Sequence, residues 1–155
     1  MVNAAEARLA AVGIELPLPP APFGAYVPAV QTGNLLFLTG MLPTVGHEAK
    51  FRGRAGKELN AEQCRNAAYA AALNVLAVAR QHLGSLDRIS RVVRLGVYIA
   101  TARNFSDHVT VADAASELLR DILGKEKMST RLVFGVESLP LGVPVELEVI
   151  FEVSA

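Results

Sequence analysis

TRLVFGVESLPLGVPVELEVIFEV, residues 130–153, holds two runs that alternate like β-strands. In the second run Val145, Leu147, Val149, Phe151 and Val153 share one face, and Glu146, Glu148, Ile150 and Glu152 share the other. The connector SLPLGVP is rich in Gly and Pro, which ends one run before the next begins. If both runs lie near each other in one sheet, Arg131 and Glu146 can share a cleft. Such a cleft combines a planar cationic fork for an anion with a carboxyl group able to handle protons.

The pattern upstream supplies the rest of an α+β chain. Arg91–Ile99 reads as a strand with Val93, Leu95, Val97 and Ile99 on one face. Ala61–Leu83 is alanine-rich and free of Gly and Pro, so it reads as a long helix. Asn60 and Gln63 have capping-box spacing at its start, and Gly84 suits its end. A second helix is expected from Asn104, with Asp107 in its first turn, to Gly124. Tyr26–Val30 and Leu35–Thr39 flank Gln31-Thr32-Gly33-Asn34, a hairpin signal. Met41–Gly56 reads as an exposed loop with at most one short strand. Ala4–Val12 reads as a short helix, and the prolines of Leu16–Pro22 make an extended connector. The order β-β-(β)-α-β-α-β-β fits a mixed sheet with two helices packed on one face.

The chain has 155 residues, suited to one domain spanning 1–155, with residues 1–22 as an N-terminal extension packing on it. It is 52% hydrophobic and only 19% charged, so part of its surface is expected to close against other subunits. The glutamate-bearing sheet face is either the interior of an oligomer containing a ligand cleft or a solvated face. Fifteen basic and fifteen acidic residues leave no net charge, which argues against a nucleic-acid footprint. A single cysteine, Cys64, gives no disulfide framework, and no uninterrupted apolar run reaches membrane-spanning length. With no secretory pattern in residues 1–20, a cytoplasmic protein is expected. His47, His82 and His108 share no ligand spacing, so no metal site is expected.

Several stretches together resemble the Rid family (reactive intermediate deaminases, also called the YjgF family). They are PFGAYVPAV, GNLLFLTGMLP, EQCRNAAYAAALNVLAVAR, GSLDRISRVVRLGVYI and the residue 130–153 stretch, in the family's order. The N-terminal segment resembles the family's longer subgroup. The resemblance implies a chorismate-mutase-like fold and a homotrimer with clefts between neighbouring subunits. It also implies cofactor-independent hydrolysis of 2-imino acids and enamines to 2-oxo acids and ammonia. On this resemblance Arg131 would bind the substrate carboxylate, Glu146 would be the acid/base, and Tyr26 would supply an aromatic wall. Gly40 would let backbone approach the ligand. Two positions depart from the family pattern. Asp113 stands where Asn is frequent, bringing a negative charge towards the cleft. Val133 stands where several members carry Cys, which removes a thiol from the mechanism.

Each residue also has a plainer reading. Arg131 and Glu146 can be an interface ion pair, Tyr26 a half-buried strand aromatic, and Asp113 a polar helix residue. The main alternative to the enzyme is a non-catalytic protein that binds or senses a small carboxylate on the same trimeric scaffold. An endoribonuclease is a third reading, weakened by the neutral charge.

Overall fold

A computed structural model describes residues 4–154. Helix α1 (Ala5–Ala11) comes first, followed by the hairpin strands β1 (Ala29–Thr32) and β2 (Leu35–Leu38). A two-stranded ribbon follows, β3 (Thr44–Val45) with β4 (Glu48–Ala49), and then helix α2 (Ala61–Leu83). Strand β5 (Ile89–Ala100), helix α3 (His108–Leu123), β6 (Thr130–Val136) and β7 (Val145–Val153) complete the chain. The main sheet has the order β1-β2-β7-β5-β6. It is mixed: β5 and β6 run parallel, whereas β7 is antiparallel to both β2 and β5.

Strand β7 builds the core. Its five odd-numbered side chains are buried against the helices, and the even-numbered ones between them stay half-buried on the opposite, open face. Full burial of an aliphatic or Phe side chain contributes about 1.5–3 kcal/mol, so this alternation pins the register of the strand. Helix α2 starts as its sequence requires. Asn60 Oδ1 accepts from Gln63 N–H at 2.8 Å, and Gln63 Oε1 accepts from Asn60 N–H at 2.9 Å. Gly84 ends it in the left-handed region at φ 84°.

Four sequence expectations need correction. On β5 it is Val92 that is buried, while Val93 is 38% exposed. The β5–β7 register shifts between Ile89 and Arg91 and again between Val92 and Arg94, so strict alternation fails there. Helix α3 begins at His108, with Asp107 at its N-cap, rather than at Asn104. Phe105 N–H instead closes a turn on Ala102 O. Tyr26–Pro28 precede β1, because Pro28 lacks an N–H, although its carbonyl accepts from Thr39 N–H at 2.9 Å. The Met41–Gly56 segment contains two short strands, joined through Gly46 and His47, both at positive φ.

Asn74 on α2 is a buried polar residue that no sequence pattern marks. Its side-chain amide donates to Leu42 O and Thr44 O, both at 3.0 Å. This clips the segment after Gly40 to the helix layer. In Asn74→Leu both carbonyls lose the amide, Leu42 O keeping Thr44 N–H at 2.9 Å, so the expected cost is about 1–3 kcal/mol. A fall in the denaturant midpoint at unchanged m-value checks this; an unaltered midpoint would mean that water replaces the amide without penalty.

Candidate functional site

Five of the six residues singled out from the sequence fall into two groups, one on each side of the sheet, and Tyr26 stands apart, before β1. The register sets the division, because aligned residues on neighbouring strands point the same way. Glu146 lies beside Tyr98 on β5, which lies beside Phe134 on β6, and this row faces away from the helices. Arg131 lies beside Leu95, which lies beside Val149, and those two are core residues under the helices. Strand β5 therefore separates Arg131 from Glu146, and within one chain they do not converge in a pocket.

The open-face group is Glu146 with Gly40, whereas Tyr26 meets Gly40 at a second hollow that also touches Val78 of α2. Glu146 lines a pocket of about 360 Å³ with Leu38, Gly40, Tyr98, Leu139 and Glu148. Among the described residues no hydrogen bond reaches its carboxylate, and burial pushes its pKa above the ordinary glutamate value. Beside it, the β2–β7 pairing slips by one residue between Phe37↔Ile150 and the Met41↔Leu147 bridge. Gly40 sits at that slip, and a Cβ there would collide with Glu146 Oε2. The glycine expected to approach a ligand thus makes room for the acid/base candidate itself. Gly40 also lines a narrow hollow of about 20 Å³ with Tyr26, Phe23 and Met41. Tyr26 is held in place by Phe23 N–H, which donates to its hydroxyl at 2.8 Å.

Glu148, the next acid on this face, is engaged. It accepts from Arg94 Nε at 3.3 Å and from Tyr98 O–H at 3.1 Å. The two carboxyl groups two residues apart therefore differ in surroundings: Glu148 has an arginine and a tyrosine donor, whereas Glu146 has no hydrogen-bond partner among the described residues.

The second group lies at the sheet edge. Arg131 Nη1 donates to Asp113 Oδ1 at 2.8 Å and to Ser116 Oγ at 3.0 Å, both one turn apart on α3. Asp113, expected as a stray charge near the cleft, is the counter-ion of the arginine. Ser116 is a contact that sequence reasoning missed, since only its i+3 spacing from Asp113 hinted at a shared helix face. Arg131 also borders a hollow of about 210 Å³ with Arg94, Thr130 and Leu132. Val133 is half-buried and packs against the core, so its side chain belongs to the interior rather than to that hollow. Cys64 is fully buried and its thiol is pushed up to about 11 by that burial, which leaves no thiolate for nucleophilic work. Among the described residues, no group of three His, Cys, Asp or Glu side chains could hold a metal ion, and no helix is long and apolar enough to cross a membrane.

A mixed sheet with helices packed on one face is the layout of the chorismate-mutase-like α+β class. Residues 6–152 match the family described as "YjgF/chorismate_mutase-like, putative endoribonuclease". The chain is 35% identical over 149 residues to Protein TCP17 of Trypanosoma cruzi, covering 96% of this chain and 93% of that protein. It is 31% identical over 135 residues to a 2-iminobutanoate/2-iminopropanoate deaminase of Dermatophagoides farinae, covering 87% and 91%. Among solved structures, a "putative endoribonuclease" of Shewanella oneidensis MR-1 superposes with a TM-score of 0.92 at 28% identity, covering 97% and 100%. The chain belongs to the YjgF/Rid family.

The raised pKa of Glu146 fixes the sign of a stability test. An acid whose folded pKa exceeds its unfolded value opposes folding once it ionises, so its penalty appears as pH rises through the window above the unfolded value. Glu146→Gln removes that penalty. The variant is expected to melt higher than the parent at pH 7 and at the same temperature near pH 3.5. An equal gain at both pH values would mean that ionisation is not the cause.

Proposed function

We propose that the protein hydrolyses 2-imino acids and their enamine tautomers to 2-oxo acids and ammonia in the cytoplasm, without a cofactor, at a site shared between chains of a homotrimer. The observation that carries this reading is the half-buried Glu146 carboxyl, without a hydrogen-bond partner among the described residues, in its pocket beside Gly40. A carboxyl with a raised pKa exchanges protons closer to neutral pH than an ordinary glutamate. It takes a proton from water as the oxygen bonds to the C=N carbon. It then returns that proton to nitrogen, giving a carbinolamine, and relays the hydroxyl proton to nitrogen as well, so that the C=O bond forms while the C–N bond breaks and ammonia leaves. Arg131 binds the substrate carboxylate through parallel charge-assisted bonds. The deaminase named among the relatives supports this chemistry.

The geometry of one chain supports a shared site. Arg131 and Glu146 can meet a single substrate only if a second copy brings its sheet edge over the open face. That face favours such a contact: Val30, Phe37, Leu132 and Phe134 are all exposed on it, an apolar patch that water covers at a cost. Tyr26 and Gly40 would shape the pocket from the Glu146 side, and Asp113 and Val133 would support the Arg131 side.

The purified protein is expected to speed ammonia release from freshly generated 2-iminobutanoate, and Arg131→Gln or Glu146→Gln to lose about 10²–10³ of that acceleration. A wild-type rate equal to the spontaneous one would defeat the hydrolase reading and leave the non-catalytic binding protein. RNA cleavage that survives purification and disappears in Glu146→Gln would favour the endoribonuclease instead.

Mixing tests the shared site. Arg131→Gln and Glu146→Gln chains, each inactive, are expected to regain activity when unfolded together and refolded. Random assortment in a cyclic trimer gives about a quarter of the clefts both intact groups. No recovery from a correctly assembled mixture would place the whole site within one chain.

A further inference from the structure

The guanidinium of Arg131 is already half committed. Its Nη1 carries two hydrogens, and Asp113 Oδ1 and Ser116 Oγ take them. Among the described residues no partner engages Nε or Nη2, so one edge of the fork remains available. That edge can still bind one carboxylate through two parallel bonds. The other cation on the same hollow is committed as well, since Arg94 pairs with Glu148. Each arginine bordering the 210 Å³ hollow therefore brings its own carboxylate. Among the described residues lining that hollow in one chain there is a fork for one anion and no surplus positive charge for another.

We propose that Asp113 sets the charge selectivity of this site: it admits ligands with a single carboxylate and an uncharged side chain, and disfavours those with a second acidic group. The proposal rests on Arg131 being the carboxylate clamp. Asp113 acts in two ways. Together with Ser116 it turns the guanidinium so that the Nε/Nη2 edge stays open, which makes it a positioning residue. Its own charge, within about one guanidinium width of the bound carboxylate, repels any further anion. Its side chain is 46% exposed, so solvent screens that repulsion, and the effect amounts to about threefold to tenfold in affinity rather than exclusion.

Asparagine at this position keeps an acceptor oxygen for Nη1 and removes the charge, so Asp113→Asn separates the two roles. Calorimetry with 2-oxobutanoate as the monoanion and 2-oxoglutarate as the dianion reads selectivity without relying on turnover. The wild type is expected to bind the monoanion about threefold to tenfold more tightly at low salt, with the difference shrinking at high salt. Asp113→Asn is expected to bind both ligands and to close most of that gap, and Arg131→Gln to bind neither. A gap that persists in Asp113→Asn, or an equal loss of both ligands, would overturn the proposal and leave Asp113 as a structural contact. Failure of the wild type to bind either oxo acid would overturn it together with the clamp role of Arg131. Charge-selective binding without any acceleration of imine hydrolysis would uphold the selectivity and dismiss only the hydrolase reading.

Discussion

The two-sided burial of β7 organises the rest of the molecule. Its Val and Leu side chains, with Phe151, lie beneath the helices, so no other register is open to the strand. Glutamates 146 and 148 are thereby forced onto the opposite face. Neighbouring β5 then decides their environments. Tyr98 and Arg94 reach Glu148 and donate to it, while Glu146 is left among Leu38, Leu139 and the bare backbone of Gly40. One period of alternation thus yields two carboxyl groups that are hydrogen-bonded differently, and the difference comes from their neighbours.

What could be read from the sequence was whatever a local pattern encodes. Both ends of β7 and of α2 follow from alternation, from the Asn60/Gln63 capping box and from Gly84. The family resemblance, carried by residues in order along the chain, agrees with the match over 6–152. Features set by the pairing of distant segments were not legible. Val93, not Val92, fits the period of Leu95, Val97 and Ile99, and only the slipped ladder against β7 shows that Val92 is the buried one. Asn74 looks like any polar helix residue until Leu42 and Thr44 are placed over it. The separation of Arg131 from Glu146 depends on β5 lying between β6 and β7, and the order of strands in a sheet leaves no trace in the periodicity of any single strand.

The same strand order explains why the chain has unfinished business at its surface. Strand β6 is an edge, and its outward Leu132 and Phe134 extend an apolar face that already includes Phe37. An exposed edge beside an exposed apolar face is a hazard for a solitary domain. Arg131 stands on that edge with part of its hydrogen-bonding capacity unspent, tethered to α3 so that it keeps a fixed direction. A rigidly aimed cation costs less ordering on ligand capture than a free one, because its rotamer has been chosen by the fold.

Strand β5 bears on how this family can change length. Its two register slips, after Ile89 and after Val92, each add one residue relative to β7. Losing the extra residue of either slip, Ser90 or Val93, would heal that slip into regular pairing and leave every inward side chain in its place. Losing one residue from the continuous ladder Arg94–Ile99 would instead invert the facing of one end of the strand. Changes of length should therefore survive one residue at a time at the two slips and not along the ladder.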